Sequence, residues 1–525
     1  MLSNQITYHN NSTGQLVLPV NTKILINEND PVFTFNEVVE RIELTKYITK
    51  RPCGRIGYNN YSLLKIILFS FMIDVRSTRK IADLCANDIR LMWLSDNIKP
   101  THDVIARFIK DNLTKNIDDI YTEVNKYFIE EENIDVDVFY QDGTKIEANA
   151  NKYSFVWKKS VLKFQAKLFV KVTKALELLN AVLPQYEIYN KFNITEKYLS
   201  DDLLHVIHQL EEIIDKYGIE LVYGKGKRKL KIQKYYDEIR EHYEKALEYE
   251  EKLSICGPDR NSYSKTDHDA TFMRMKDDHM KNGQLKAGYN IQIGVSDEYI
   301  MNVEVYQDRA DVKTFPLFLE SYKKKYGFMP KYPVADAGYG CYDNYLFCKE
   351  NDLELFQKYV MYSKEKENKF KKQIFNSRNF NYYENGKITC SLNKEFKYLK
   401  STKNEKGVYS KEIEHYKCYD CHECPRQKEC TKSEDGYRTL QVCRKQMELE
   451  KEAKLNLDSE LGIKLRVNRS IQVEGAFGII KQDMDYRRIS RKGIENVRTE
   501  IKLICVGFNL MKYHNKKQRL LKDMN

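Results

Sequence analysis

No stretch of this 525-residue chain reads as a secretory signal or a membrane span. The first residues, Met1-Leu-Ser-Asn-Gln5, carry no cationic segment followed by an apolar core. The longest apolar run, Leu63 to Ile73, is interrupted by Lys65 and falls well short of the roughly 20 residues that a span requires. No internal repeat is visible, which argues against a solenoid or propeller. One-sided charge is also missing. The 87 Lys+Arg and 76 Asp+Glu leave +11, a balance that permits a polyanionic partner without requiring one. Twelve cysteines without a signal argue against a disulfide framework and point to free or metal-bound thiols in a reducing cytoplasm. At 42% hydrophobic and 31% charged residues the chain has enough apolar material for packed cores, and its length allows two to four domains.

From Phe35 to about Tyr127 the pattern is helical. Leu63, Leu64, Ile66, Ile67, Leu68, Phe71 and Met72 suit a buried helix, and Pro100-Thr101 suits a helix start. Arg79, Lys80 and Arg107 lie on short helices that resemble a helix-turn-helix DNA contact or, more plainly, the solvated face of a bundle. Residues 134–141 alternate as a strand that Asp142 continues. A charged helical stretch follows to about Leu253, with a basic turn holding Lys227 and Arg228. That turn suits a phosphate contact or a solvated helix link. Strands resume near Gly288 with a hairpin turn at Ser296-Asp-Glu298, then a helix over Asp311–Tyr326, a short buried strand Pro333–Asp336, a helix over Tyr342–Glu350 and a strand at Leu353–Gln357. Apart from the insert, this is the element order of a ribonuclease H-like mixed sheet with helices on its faces, an α/β fold, though other α/β domains share the order. The expected division is a helical DNA-binding region 1–128, catalytic core 129–157, 263–360 and 456–525, a charged helical insertion 158–262, and a Lys/Tyr- and Cys-rich insertion 361–455.

Three segments carry a lone acid each: Tyr140-Gln-Asp-Gly-Thr-Lys-Ile146, Val334-Ala-Asp-Ala-Gly-Tyr-Gly340 and Val473-Glu-Gly-Ala-Phe-Gly-Ile-Ile-Lys481. The first two read as strand ends and the third as a helix. Taken singly, each has a plain explanation: a turn dipeptide at Asp142-Gly143, a capping Asp336, a surface Glu474. Brought together, the three carboxylates would suit two hard cations. Mg²⁺ prefers a few carboxylates plus water and phosphate oxygens, and two such ions roughly 3.5–4 Å apart serve phosphodiester chemistry. Val473, Phe477, Ile480 and Met484 form an apolar stripe, with Glu474, Gly478 and Lys481 on an adjacent face where Lys481 can reach a phosphate. Arg469, Arg487 and Arg488 flank it. Asp267 and Asp269 read as structural or capping residues.

Cys418-x2-Cys421-x2-Cys424-x5-Cys430, with Cys443 beyond, is dense enough for one Zn²⁺, with His415 and His422 as spare ligands; an iron–sulfur cluster or unmetallated thiols remain the alternatives. Cys53, Cys85, Cys256, Cys341, Cys348, Cys390 and Cys505 read as scattered core or neutral residues.

The chain resembles the DDE transposases of bacterial insertion sequences, most of all the IS1182 family. The resemblance is carried in order by Arg76-Ser-Thr-Arg-Lys-Ile-Ala82 and Pro100–Phe108, by Asp142-Gly-Thr-Lys-Ile-Glu-Ala-Asn-Ala150, by Lys265–Ala270 and Gly288–Gln292, by Ala335-Asp-Ala-Gly-Tyr-Gly340, and by Arg469–Lys481 with Arg498, Glu500 and Asn509 downstream. In related transposases Tyr, Arg, Glu and Lys often stand at fixed spacing around the third acid. Here Glu474 and Lys481 keep that spacing, Val467 replaces the Tyr, and Ser470 replaces the Arg, with Arg469 one place earlier. The resemblance implies Asp142, Asp336 and Glu474 as catalytic acids holding two Mg²⁺ or Mn²⁺ ions, with Lys481 assisting. It implies binding of terminal inverted repeats in double-stranded DNA, hydrolysis at the element ends, and joining of the 3′-hydroxyls to target DNA. A homodimer on DNA, a bacterial cytoplasm with nucleoid association, and no membrane complete the expectation. A domesticated nuclease that cuts without joining, or an inactive DNA-binding protein on the same fold, are the alternatives.

Overall fold

The computed structural model describes residues 22–48, 58–224, 227–275 and 284–524. At its centre is a six-stranded mixed sheet: β1 (Val138–Glu147), β2 (Thr271–Arg274), β3 (Leu285–Ser296), β4 (Tyr299–Tyr306), β5 (Tyr332–Gly340) and β6 (Phe356–Tyr359). Its order is β2-β3-β1-β5-β6, and β4 shares with β2 the free side of β3. β1 is antiparallel to β3 and parallel to β5, and β5 is parallel to β6. The hairpin between β3 and β4 turns through Asp297 and Glu298, at φ 46° and 70°. Two consecutive left-handed residues are what a tight two-residue hairpin demands.

The described residues before β1 are helical. Asp30 caps the helix Pro31–Arg41 by accepting from the Val32 amide at 2.9 Å, and Asn59 caps Asn60–Met72 by accepting from Tyr61 at 2.8 Å. The second of these helices is buried almost all round because it is wedged between the first helices and the long closing helix Ile494–Asp523. One hydrophobic core runs continuously from Val32 and Phe35 through Phe139, Ile293 and Phe318 to Val497 and Leu510. The N-terminal helices therefore do not have a core of their own. Helices Lys158–Val182, Ser200–Lys216 and Lys231–Cys256 do; Leu176, Leu210 and Ile239 sit at its centre. A further small core, around Phe380, Ile388, Phe396 and Leu440, lies under a five-stranded antiparallel sheet between residues 381 and 442. No helix among the described residues is long and apolar enough to cross a membrane.

Several boundaries differ from the sequence reading. The alternating run at 134–137 is not strand. The Asp135 carboxylate accepts from the Asp137 amide at 3.1 Å, and the Asp135 amide donates to Asp297 at 2.8 Å, which bends the chain before β1 begins. Asp142 and Asp336 lie within strands rather than at their ends, since β3 pairs with β1 as far as Glu147 and β5 continues to Gly340. The last strand begins at Phe356, after a buried loop holding Leu353 and Leu355. The helix Tyr342–Glu350 has the limits expected of it.

β5 and β6 meet closely only because residue 340 is glycine. A Cβ there would lie 2.0 Å from the Lys358 carbonyl oxygen, a backbone atom that cannot yield cheaply. Gly340→Ala should part the two strands and destabilise the fold by about 1–3 kcal/mol, read as a lower midpoint in urea unfolding.

Candidate active site

The parallel ladder of β1 and β5 runs from Val138↔Tyr332 to Gln141↔Ala335, so Asp142 and Asp336 are the next residue on each strand. The two acids therefore stand on adjacent parallel strands, one residue past the last pair of the ladder. The Asp142 Oδ1 accepts from the Gly143 amide at 2.7 Å, and the Asp336 Oδ1 accepts from the Gly338 amide at 2.9 Å. These bonds orient each carboxylate.

The third acid arrives on the segment Glu460–Asp483, which is not the single regular helix its spacing predicts. It is α-helical over Glu460–Arg469, π-helical over Ser470–Glu474, α-helical over Gly475–Gly478 and π-helical again over Ile479–Asp483. Glu474 and Lys481 each fall in a π segment, a geometry found mostly as single turns at functional sites. Val473, Ala476, Ile480 and Met484 face the core, while Phe477 is only half-buried. The first π segment lies across β1 and β3. Its Gln472 accepts from the Glu298 amide at 2.9 Å.

Arg469 joins the acids. Its Nη1 is 3.3 Å from Asp142 Oδ2, and its Nη2 is 3.8 Å from Glu474 Oε1. Its side chain is only 8% exposed, against 17% for Asp142 and 63% for Glu474. Lys358 on β6 completes the ring of charge. Burial lowers its ammonium below the ordinary lysine range, Arg469 adds to this, and Asp336 and Glu474 oppose it.

On the opposite face of the same strands lies a polar network that the sequence reading missed. Gln292 Oε1 accepts from Gln141 Nε2 at 3.2 Å and from the Tyr339 hydroxyl at 2.7 Å. Asp311 Oδ1 accepts from Asn290 Nδ2 at 2.8 Å and Gln292 Nε2 at 3.1 Å. Burial, then Asp142, Asp311 and Asp336, holds the Tyr339 hydroxyl far above its ordinary range, so it stays protonated and donates. A Cβ on Gly143 would lie 2.0 Å from Gln292 Nε2, so the glycine after Asp142 is what lets this network close beneath it. Amide side chains within strands were the available signal.

The donors on the face that carries Asp142, Asp336 and Glu474 are carboxylate oxygens, the type Mg²⁺ prefers. Asp142 and Glu474 already enclose one positive charge, the Arg469 guanidinium, whose Nε is buried without a hydrogen-bond partner. The donor set therefore fits divalent cations, with Arg469 standing between two of the acids. Among the described residues no three His, Cys, Asp or Glu side chains close on one point.

That last observation also bears on zinc, which the described arrangement does not support at Cys418, Cys421, Cys424 and Cys430. Cys421, Cys424 and Cys430 line one small cavity together with Cys390, which sequence reasoning had left among the scattered thiols. Cys390 arrives on a hairpin that only the tertiary fold brings alongside. Burial, and then the neighbouring Cys421, pushes the Cys418 thiol up to about 12. Cys443 lines a different cavity, with Tyr359, Arg378 and Glu450. His415 is bonded to Thr402 at 2.8 Å.

The proposed DNA contacts are dispersed. Arg79 and Lys80 are exposed on Thr78–Asn87, and Arg107 is exposed on His102–Phe108, where its Nε reaches its own helix at Asp103 O. Lys227 and Arg228 are exposed on the helical insertion. Arg487 is exposed near Asp485, and Arg488 Nη2 donates to Ala150 O at 3.2 Å beyond the end of β1. Only Arg469 of this group sits among the acids, where it is buried rather than presented to a ligand. Asp269 accepts from the Ile494 amide at 2.8 Å and Asp267 from Gly493 at 3.2 Å, so both fasten the start of the closing helix.

A family model described as Transposase DDE domain matches residues 389–514, and one described as Transposase domain (DUF772) matches residues 20–111. No curated protein and no solved structure matches the chain. The first match takes in Arg469, Glu474 and Lys481, and the second takes in Arg79, Lys80 and Arg107; Asp142 and Asp336 fall between them. Along the chain the DUF772 match precedes the DDE match, and the two together indicate a DDE transposase of the IS1182-like type.

Proposed function

We propose that the chain binds the terminal inverted repeats of an insertion sequence, hydrolyses phosphodiester bonds at its ends, and joins the freed 3′-hydroxyls to target DNA. The observation that carries this reading is the adjacency of Asp142 and Asp336 on parallel strands, with Glu474 across Arg469 from the first. The β4-β3-β1-β5-β6 path, antiparallel and then parallel, supports a ribonuclease H-like core, the fold a DDE domain implies. In this reading the core comprises residues 129–157, 263–360 and 456–525, a helical DNA-binding region occupies 1–128, and residues 158–262 and 361–455 are insertions. The separate apolar clusters of the two insertions support that division.

Asp142, Asp336 and Glu474 would hold two Mg²⁺ or Mn²⁺ ions, which when bound stabilise charge on the oxygens exchanged at phosphorus. The amide bonds to Asp142 and Asp336 keep those carboxylates aimed before DNA arrives, so little reorganisation is left for the reaction itself. Lys481 lies on the helix of the third acid and holds a phosphate oxygen. Lys358 lies beside Asp336 and offers a second cation to the same phosphate. Arg79, Lys80 and Arg107 face solvent and supply salt-dependent backbone contacts. Two ends must be handled together, which calls for two copies on DNA.

The test uses linear DNA ending in the inverted repeats that flank the coding region, with a supercoiled plasmid as target. Cleavage at the repeat ends followed by covalent joining to the plasmid is expected. Cleavage without joining would favour a nuclease; repeat binding with neither step would favour an inactive DNA-binding protein.

A further inference from the structure

The segment bearing Glu474 departs from α-helical geometry at one place that matters for charge. Residues five apart on an α-helix point about 140° away from each other and do not meet. In a π turn, whose hydrogen bonds run from i to i+5, residues five apart come back towards one face. Arg469 and Glu474 are five apart and span the π segment Ser470–Glu474, and their charged atoms lie 3.8 Å apart. The extra residue of the π turn thus brings an arginine at position 469 to the face of the acid, where α-helical spacing would have called for one at position 470.

Three further facts describe what Arg469 does there. Its guanidinium also pairs with Asp142 at 3.3 Å, so one cation serves carboxylates 332 residues apart in the chain. Its side chain is more than nine-tenths buried, and its Nε is without a hydrogen-bond partner, which is costly unless the charge is wanted where it lies. Two carboxylates that share one cation would repel one another more strongly without it.

We propose that Arg469 is a positioning residue whose guanidinium holds the place of a divalent cation between Asp142 and Glu474 until a cation displaces it. The inference rests on the carboxylate reading of the site. It assigns to Arg469 the task of keeping the acids gathered in the metal-free protein, at the cost of weaker cation binding. It follows that removing the guanidinium takes away the positive charge the two carboxylates share and strengthens cation binding, the opposite of what loss of an ordinary structural contact would do.

Mn²⁺ binding to the full-length chain without DNA, read from the electron paramagnetic resonance of the free ion, tests this. Arg469→Gln should bind Mn²⁺ roughly tenfold more tightly than the parent, by relief of like-charge competition at the site. Mn²⁺ should also raise its Tm more than it raises the parent's. Arg469→Lys, which keeps the charge, should stay near the parent. Equal or weaker binding by a folded Arg469→Gln protein overturns the proposal. Should that variant not fold, the parent decides the matter. Labelling of Arg469 by phenylglyoxal, followed by mass spectrometry, should rise severalfold when Mn²⁺ is added, and unchanged labelling overturns the proposal equally. Asp142→Asn separates the two layers of inference. If it binds Mn²⁺ like the parent, the carboxylate reading fails and takes the role of Arg469 with it. If it loses Mn²⁺ while Arg469→Gln matches the parent, only the role of Arg469 fails.

Discussion

Asp142→Asn should slow cleavage of the element ends by on the order of 10²–10³-fold or more while repeat binding persists, the scale seen when one preorganised electrostatic contact to a transition state is lost. The substitution keeps the shape of the side chain and its acceptor for the Gly143 amide, so β1 keeps its pairing with β3 and β5. What goes is the negative charge beside Asp336 and opposite Arg469. The exposed cations of the N-terminal helices, to which the proposed function assigns DNA contact, lie elsewhere on the chain. End cleavage and gel-shift binding measured on one preparation give the answer. If both fall together with the unfolding temperature, Asp142 is a structural residue and the site lies elsewhere; if cleavage persists undiminished, the acid has no catalytic part. Asp336→Asn should behave alike. A change at Glu474 should be gentler on the fold, because that side chain is 63% exposed.

The largest expected loss of stability lies away from the site. Glu304 on β4 receives Lys325 at 2.7 Å, Lys502 at 3.7 Å and Arg498 at 3.5 Å. Lys325 is 9% exposed and Lys502 1%, and Lys502 also bonds Asp118. The cluster ties Thr114–Glu132, β4, Thr314–Tyr326 and the closing helix into one block. Glu304→Gln would leave buried ammonium groups short of a counter-charge, a change that typically costs roughly 3–5 kcal/mol, as a urea titration at neutral pH would show. A cost below about 1 kcal/mol would mean that water reaches the cluster. The dependence on pH has a definite sign. Burial raises the Glu304 carboxyl, but Lys325 and Lys502 more than reverse this, and its net value falls below the ordinary 4.5. Stability from this group is therefore complete above that ordinary value and is lost as pH falls through the lowered folded value. The gap between parent and variant should narrow in acid.

Much of the fold was legible locally. Alternation and turn chemistry located the β3–β4 hairpin, and amphipathic spacing located the helix around Phe318. Boundaries failed where a side chain captured the backbone, as Asp135 does, or where a long partner strand extended pairing past a turn-like Asp-Gly, as β3 does for β1. The π turns were invisible because an i→i+5 bond leaves no mark on composition. The apolar spacing from Val473 to Met484 read as one regular helix. Cys390 was missed for a similar reason: its neighbours are distant in sequence and meet it only when a hairpin folds over them.

The sequence by itself determined the three acid-bearing segments, their order, the glycines beside them, and the family they resemble. These are properties of short windows, where side-chain chemistry and local periodicity suffice. Only the tertiary structure decided that Asp142 and Asp336 stand next to each other, that Arg469 rather than a residue at 470 reaches Glu474, and that one buried cation bridges acids from opposite halves of the chain. Sheet register and a π turn set those distances. Both follow from which surfaces pack together across hundreds of residues, and no local pattern encodes them.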